Sequence, residues 1–406
     1  MIRVGFIFSF VDDEWLGGLN YFRNLFSAVL SLPERKIEPV ILVDSGRSRA
    51  VLDDFPPVTI IRNSIFGAGS KWARVQWVAY RCFKRDLVVD GVLKWHGISI
   101  LSHSYRLGFG TEVPAIAWIP DFQHLHLPEF FRPEEIDARN SVNAALAATA
   151  DRVVLSSRSA QEDFCRIYPR WAHKSRVLSF VAEVTNAAVP SRAVVASRYG
   201  IAGRYFLVAN QFWAHKNHKQ IIDSLRILKA RGIVVPVLAT GKSFDHRWPD
   251  FFDDLMRYAD AGNVLDCFRV LGVVPRHDLI ALMKHAVAIL NPSRFEGWNT
   301  SIEEAKTLGV RVIASDIPVH REQAPPGAIY VDPNKPEKLA EAMSGLWAEH
   351  DRLPPATMGQ SIVERRQAFA RTYQDIVLEV IAAAHPMRHG MARCFKQKSS
   401  GTRTVR

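Results

Sequence analysis

Two glutamates with seven residues between them, Glu296 and Glu304, flank the turn from a predicted buried strand into a predicted helix. Thr300 and Glu303 have the spacing of a capping box, which predicts Thr300 as the N-cap of that helix. A helix N-terminus offers free backbone N–H groups and a positive dipole end, and both favour phosphate. Gly297 lets the backbone approach a ligand closely because it has no side chain. Since carboxylates repel phosphate, we expect Glu296 and Glu304 to accept hydrogen bonds from sugar and ribose hydroxyls.

Short apolar strands alternate with helical patterns on both sides of this motif. The predicted strands are nearly continuous in apolar character, which is typical of buried parallel strands. Their alternation with helices predicts an α/β fold with parallel sheets. The predicted strands are 2–10, 38–43, 58–62, 115–119, 152–156, 205–209, 235–239, 268–271, 287–290 and 311–314. The predicted helices are 18–32, 70–85, 157–168, 217–231, 251–261, 277–285 and 300–308.

The alternation of strands and helices is interrupted around residues 183–198, which have little periodicity and contain a proline. We therefore predict two Rossmann-like domains, 1–182 and 200–360, whose parallel sheets face each other across a cleft. A C-terminal helix over 361–385 and a basic, flexible tail over 386–406 follow. Ligands of such sheets bind at the carboxyl ends of the strands, so the cleft is the expected site.

Composition excludes several classes of protein. The chain has 406 residues, 48% of them hydrophobic and 23% charged, which excludes disorder and coiled coil for its bulk. Four dispersed cysteines argue against a disulfide framework or a cysteine zinc site. The N-terminal apolar run is short for a signal peptide, and no run approaches ~18 apolar residues, the length of a membrane span. We therefore expect a cytoplasmic protein.

The net charge is +11, and the last 21 residues carry six Lys or Arg and no acidic residue. A solvated, frayed terminus is the favoured interpretation of this tail. Tethering to an anionic membrane surface or nucleic acid is the alternative.

The Glu296-x7-Glu304 motif resembles that of the retaining glycosyltransferases of family 4 (glycosyltransferase group 1), which have the GT-B fold. The surrounding segments 294–309, RFEGWNTSIEEAKTLG, and 315–325, SDIPVHREQAP, resemble bacterial members that build O-antigen and other surface polysaccharides. The resemblance implies transfer of a hexosyl group from a nucleotide-diphosphate sugar to a saccharide acceptor, with retention at the anomeric carbon. It implies no cofactor and no metal ion, and the sequence contains no Asp-x-Asp motif of the kind that metal-dependent transferases use.

The same resemblance assigns roles to the donor-binding residues. Glu304 would bind the ribose of the nucleotide, and Glu296 would lie near the donor sugar. The following turn would supply backbone contacts to sugar or diphosphate; it consists of Gly297, Trp298, Asn299 and Thr300.

A second match to the family lies in segment 210–218, NQFWAHKNH, directly after the first strand of the second half. The family typically has Gly-Arg here and a Lys six positions on, both reaching the diphosphate. Lys216 matches the Lys, but Asn210 replaces the Arg and removes one cation. Gly17 and Gly18, after the first strand of the chain, resemble the loop that touches the donor phosphate, although a glycine pair alone indicates only a turn.

The first half carries the predicted acceptor side. Asp121 and His124 follow an apolar strand where the family often has a functional histidine, and they are the candidates for a place beside the reacting centre; His126 is a weaker candidate. A loop that packs its aromatic side chains is the alternative. Residues 70–85 combine five basic residues with aromatic ones, which fits either a membrane-surface helix or an ordinary packed helix. Whether the acceptor is lipid-linked, and the protein peripheral on the cytoplasmic membrane face, stays open.

Three other functions compete with the transferase. A GT-B sugar-nucleotide epimerase would share the fold and the donor site but would need no acceptor. A non-catalytic partner subunit could bind nucleotide without turnover. A nucleic-acid-binding protein fits the net charge alone, and since the strongest motif is acidic we expect no nucleic-acid partner.

Overall fold

The computed structural model describes residues 1–8, 16–46, 50–67, 75, 78, 82, 87–104, 113–184, 189–245, 247–349 and 361–398, which form two parallel β-sheets. The first sheet has the strand order β3-β2-β1-β4-β5-β6-β7. Its strands are β1 (Ile2–Phe8), β2 (Ile37–Val43), β3 (Thr59–Arg62), β4 (Ile98–Ser102), β5 (Ala115–Ile119), β6 (Arg152–Leu155) and β7 (Ser175–Val177).

The second sheet has the strand order β10-β9-β8-β11-β12-β13. Its strands are β8 (Phe206–Ala209), β9 (Val237–Thr240), β10 (Phe268–Gly272), β11 (Ile289–Asn291), β12 (Val312–Ser315) and β13 (Ile329–Val331). Both sheets reverse their strand order in the middle, between β1 and β4 and between β8 and β11. These reversals are the points where doubly wound sheets open a crevice for ligands.

Helices connect the strands. Those of the first half are α1 (Leu16–Leu30), α2 (Ala50–Asp53), α3 (Leu87–Trp95), α4 (Gln123–His126), α5 (Pro133–Thr149) and α6 (Arg158–Ile167). The rest are α7 (Arg192–Tyr199), α8 (His218–Ala230), α9 (Phe251–Ala261), α10 (Arg276–Lys284), α11 (Thr300–Leu308), α12 (Pro318–Gln323), α13 (Pro336–Glu349) and α14 (Ile362–Lys398). The predicted helix over 70–85 lies outside the described residues except at 75, 78 and 82, and so do residues 399–406.

The alternation of apolar strands and helices correctly predicts two parallel α/β units. The prediction omits three strands, β4, β7 and β13, of which the last two are only three residues long. It also omits α7, which lies inside the segment interpreted as irregular. Ser191 caps the start of α7 by accepting a hydrogen bond from the Val194 N–H at 3.4 Å, and Gly200 ends it at φ 58°.

The core of the first sheet includes the last helix of the chain. Phe369, Tyr373 and Val377 of α14 are buried in one cluster with Phe6 of β1 and Phe26 of α1. The chain thus returns from the second sheet to pack on the first. The helix extends to Lys398, beyond the predicted end at residue 385.

Arginines at the edge of the first sheet fix α14 in place. Arg152 of β6 and Arg176 of β7 each donate hydrogen bonds to Glu379, with the shortest contacts at 2.7 and 2.5 Å. Hydrogen bonds from Arg176 and Arg152 lower the pKa of Glu379 to about 2. Charge-assisted pairs of this kind add orientation to the apolar packing of the helix.

Candidate functional site

The predicted donor residues meet where both sheets reverse their strand order. A cavity of about 330 Å³ lies between the start of α1 and the carboxyl ends of β8, β9 and β11. Eight of the twelve predicted site residues line it: Gly17, Asn210, Lys216, Glu296, Trp298, Asn299, Thr300 and Glu304. Gly18 follows Gly17 in α1, is buried, and does not line the cavity.

An ion pair occupies the wall of this cavity. The Lys216 Nζ lies 2.7 Å from Glu296 Oε1 and 2.8 Å from Oε2, and the side chains are 15% and 6% exposed. Asn299 Nδ2 donates a further hydrogen bond of 2.9 Å to Glu296 Oε1. The carboxylate is therefore held by two partners, and an ammonium with three N–H donors keeps one for a ligand.

The backbone around Lys216 explains why this pair forms. Lys216 ends a short 3₁₀ helix, and Asn217 follows in the left-handed region at φ 60°, where asparagine is tolerated better than most residues. The Asn217 amide nitrogen donates to the carbonyls of Pro292 at 3.1 Å and Pro333 at 2.8 Å. These bonds bring the loop after β8 against the loop after β11, and thus Lys216 against Glu296.

The N-cap of α11 differs from the prediction. Asn299, not Thr300, caps the helix, because its Oδ1 accepts hydrogen bonds from the Ile302 N–H at 3.1 Å and from Ser301 Oγ at 2.8 Å. Glu303 is not the capping-box partner either. Its side chain is 1% exposed and binds Lys306 and Arg365 inside the protein. The predicted capping box is therefore wrong, because the N-cap lies one residue earlier and its N3 position is Ile302; the helix N-terminus still faces the cavity.

Glu304 is paired with an arginine that sequence reasoning missed. The guanidinium of Arg276, the first residue of α10, forms an ion pair with Glu304 Oε1. The Glu304 side chain is 4% exposed and that of Arg276 is 42% exposed. The signal in the sequence is weak, since it consists of one basic residue after a short strand.

Asn210 has polar atoms without a partner. Its Oδ1 and Nδ2 are both buried and lack a hydrogen bond within the described part of the chain, although the residue lines the cavity. Gly241, at φ 136°, packs so tightly on the Asn210 carbonyl that any Cβ would collide with it. Buried polar atoms without partners are costly unless a ligand or water satisfies them. The amide is thus placed to hydrogen-bond a ligand in the cavity.

The predicted acceptor residues lie beside the cavity rather than in its lining. Asp121 Oδ1 accepts a hydrogen bond from the Gln123 N–H at 3.0 Å. His124 Nε2 lies 3.0 Å from Asn140 Oδ1, and its buried Nδ1 has no partner among the described residues. Burial lowers the pKa of His124. His126 Nε2 lies 2.6 Å from Asp163, which gives this weaker candidate a structural partner.

Gly297 does not line the cavity, and its role is steric. A Cβ at Gly297 would lie 2.5 Å from the Pro120 carbonyl oxygen and 2.8 Å from the Asp121 Cβ. The loop after β11 thus touches the loop after β5 backbone to backbone. Trp298 adds a second link between the halves, because its indole N–H donates to the Phe180 carbonyl at 2.9 Å.

A buried histidine at the reversal point of the first sheet was also missed. His103 follows β4 at φ 54°, and its ring nitrogens lie 2.7 Å from the Tyr21 hydroxyl and 2.7 Å from Ser102 Oγ. Burial lowers its pKa to about 3, so the ring is neutral. The strand that positions it was not predicted, which is why the residue was overlooked.

The described residues contain no cluster of metal ligands and no membrane-spanning helix. No three His, Cys, Asp or Glu side chains among them are grouped so that they could hold a metal ion. No helix within the same residues is long and apolar enough to cross a membrane. Metal independence stays a prediction.

Comparison with known proteins assigns the second half of the chain. Residues 202–360 match the family model of glycosyl transferases group 1. We call residues 202–360 the group 1 domain, after the family model that they match. The matched segment contains Asn210, Lys216 and both glutamates of the motif, the residues on which the predicted resemblance rests.

A mannosyltransferase is similar to part of the chain. The O-antigen chain mannosyltransferase RfbU of Salmonella typhimurium is 27% identical over 151 residues, which are 37% of this chain and 39% of the mannosyltransferase. The aligned region thus spans well under half of that relative.

Solved structures match over almost the full length. HepE of Anabaena, in complex with UDP and glucose, has a TM-score of 0.64 at 15% identity, covering 96% of this chain and 100% of HepE. WaaG, a glycosyltransferase involved in lipopolysaccharide biosynthesis, has a TM-score of 0.58 at 16% identity, covering 94% of this chain and 98% of WaaG. These likenesses confirm the GT-B fold, with the group 1 domain as its second half.

Proposed function

We propose that the protein is a retaining glycosyltransferase that moves a hexosyl group from a nucleotide-diphosphate sugar to a saccharide acceptor. The observation that carries this proposal is the cluster of Lys216, Glu296 and Asn299 beside Glu304 in one cavity of the group 1 domain. The names of the relatives support lipopolysaccharide or O-antigen synthesis as the pathway.

The donor lies along the cavity in this proposal. Glu304 accepts hydrogen bonds from the ribose hydroxyls, and Glu296 accepts them from the sugar. Negative charge grows on the leaving diphosphate as the bond to the anomeric carbon breaks. Lys216 and the N-terminus of α11 stabilise that charge, which is an electrostatic form of catalysis. The side-chain amide of Asn210 adds a neutral hydrogen-bond donor at the position where the family typically has an arginine.

The acceptor approaches from the first half of the chain. Its hydroxyl oxygen forms the new bond to the anomeric carbon on the face that the diphosphate leaves, and its proton passes to a phosphate oxygen of the leaving group. This route retains the anomeric configuration and needs no protein base and no metal ion. Asp121 lies next to Gly297, and in this proposal Asp121 and His124 close the acceptor side of the reacting centre.

The direct test is transfer from defined donors. Purified protein is incubated with UDP-glucose, UDP-galactose or GDP-mannose and with saccharide acceptors, both free and lipid-linked. We expect nucleotide diphosphate release that depends on acceptor, and a product whose anomeric configuration matches the donor by NMR. Conversion of the donor sugar without acceptor would instead identify an epimerase. Nucleotide binding without either reaction would identify a non-catalytic subunit.

A further inference from the structure

The segment that carries Asp121 and His124 touches the group 1 domain at three separate places. We call residues 120–131, between β5 and α5, the docking segment. At its start, Pro120 and Asp121 pack against Gly297 so closely that a Cβ there would collide with them. In its middle, the His126 ring stacks on Phe295 with 5.0 Å between ring centroids. At its end, Phe131 packs against Arg247.

Arg247 is enclosed between side chains of both halves of the chain. Its guanidinium carbon lies 5.1 Å from the ring centroid of Phe131 in the docking segment and 5.1 Å from that of Trp213 in the group 1 domain. The guanidinium thus lies beside one aromatic ring from each half. The Arg247 side chain is only 7% exposed. Cation–π contacts of this kind strengthen when water is excluded.

Hydrogen bonds also hold the nitrogen atoms of the guanidinium. Arg247 Nε donates to Asp245 Oδ1 at 3.0 Å, and a terminal nitrogen donates to Oδ2 at 3.1 Å, which makes a bidentate pair. Asp245 is 2% exposed, so the charge of Arg247 is balanced inside the protein. The other terminal nitrogen lies 3.5 Å from the Gln123 side-chain oxygen in the docking segment. Lysine has one ammonium and cannot reproduce the paired, planar donors.

Arg247 is nearly buried and paired with Asp245, and it joins the elements that carry the proposed reactive groups. Gln123 is the neighbour of His124, and Trp213 begins the 3₁₀ turn that ends at Lys216. We propose that Arg247 is a positioning residue that sets the docking segment, and with it Asp121 and His124, at its working distance from Lys216. The inference rests on the transferase function proposed above.

This role predicts a split between binding and turnover. The nucleotide contacts proposed here belong mainly to the group 1 domain, so loss of Arg247 leaves nucleotide affinity nearly unchanged. Turnover requires the two halves to be placed correctly relative to each other. A misplacement of about 1 Å lowers the rate by a factor on the order of 100. The kcat therefore falls while the Kd for nucleotide diphosphate does not.

The variants Arg247→Lys and Arg247→Met test the proposal. We expect kcat with UDP-glucose or GDP-mannose to fall by about tenfold or more, and the Kd of UDP or GDP to stay within about twofold. Glu322→Gln is the matched control, since Glu322 accepts from the Arg158 N–H at 2.9 and 2.8 Å and thus joins the two halves elsewhere. Its kcat should stay within about twofold of wild type. Unchanged kcat in both Arg247 variants, or equal losses of kcat and affinity, would overturn the proposal.

A second variant keeps the test valid if Arg247 is needed for folding. Phe131→Leu removes the other side of the same stack and should lower kcat in the same way. Because both changes act through one contact, the double variant Arg247→Lys with Phe131→Leu should be no slower than the worse single variant. Fully additive losses would contradict a shared stack. If wild type itself neither binds nucleotide nor transfers sugar, the proposed function fails before this inference is reached.

Discussion

Lys216 and Glu296 form an almost buried ion pair in which one ammonium contacts both carboxylate oxygens, at 2.7 and 2.8 Å. The family resemblance assigns these residues to different parts of the donor, the diphosphate and the sugar. The structure joins them into one unit. The carboxylate orients the ammonium, and the two opposite charges compensate each other inside the protein.

The first prediction concerns this pair. Lys216→Met leaves the Glu296 charge buried without its partner, and breaking such a pair costs about 3–5 kcal/mol of unfolding free energy. Affinity for nucleotide diphosphate should also fall by about tenfold or more, since a charge-assisted contact is lost. Denaturant unfolding and isothermal titration measure the two effects.

Lys219→Met is the matched control, because Lys219 is 54% exposed and pairs with Asp223 on the surface of α8. That variant should lose at most about 1 kcal/mol. Equal behaviour of the Lys216 and Lys219 variants would show that the Lys216–Glu296 pair has no special role.

The contact between the two loops gives a second prediction. Gly297→Ala places a methyl group 2.5 Å from the Pro120 oxygen, so backbone atoms must move apart. We expect a loss of about 1–3 kcal/mol in unfolding free energy. Gly345→Ala is the control, since a Cβ there meets no atom within 4 Å. In the helix α13 that change should be neutral or stabilising by about 0.5–1 kcal/mol. A fully stable Gly297→Ala protein would refute the close approach.

Buried histidine makes stability depend on pH. His320 in α12 is fully buried, and burial lowers its pKa from 6.5 to about 4. The folded state thus favours the neutral ring, and its stabilising effect is complete above pH 6.5 and is lost as pH falls toward 4. The full shift corresponds to about 3 kcal/mol.

The variant His320→Asn should therefore show a shallower fall of unfolding free energy between neutral pH and pH 4 than wild type does. Exposed His173→Asn serves as control and should keep the wild-type slope. Identical slopes in all three proteins would mean that His320 does not titrate on unfolding.

Site residues that belong to a short continuous motif were the most predictable from the sequence. Lys216, Glu296 and Glu304 line one cavity, as predicted, because the two motifs that carry them are each local. The apolar strands before these motifs made their place at a sheet edge predictable. The N-cap was assigned to Thr300 instead of Asn299 because both residue types cap helices well, and only the geometry decides between neighbours.

Residues that reach the site from other elements were not predictable in the same way. Arg276 meets Glu304 only because β10 and α10 fold beside α11, and Arg247 meets Phe131 only because the two halves pack together. No spacing in the chain encodes such contacts. The docking segment was identified by its histidines, but its attachment at three points follows from the packing of the two halves alone.

Metal independence is a further prediction. In the proposed mechanism, Lys216 and the start of α11 supply the positive charge that a divalent ion supplies in metal-dependent transferases. Transfer measured in excess EDTA should therefore match transfer in added Mg²⁺ or Mn²⁺ within about twofold. Loss of activity in EDTA that returns with one metal would contradict the proposed electrostatics.

The most direct test of the donor site is a thermal-shift titration of wild type and Glu304→Gln with UDP, GDP, ADP and dTDP. A nucleotide at 100 times its Kd stabilises the folded protein by about 2.7 kcal/mol, so one of them should raise the wild-type Tm in a dose-dependent way. Glu304→Gln should lose most of that shift, while the surface variant Glu341→Gln should keep it. A wild type that responds to none of the nucleotides, or a Glu304→Gln protein that responds as wild type does, would contradict the assigned site.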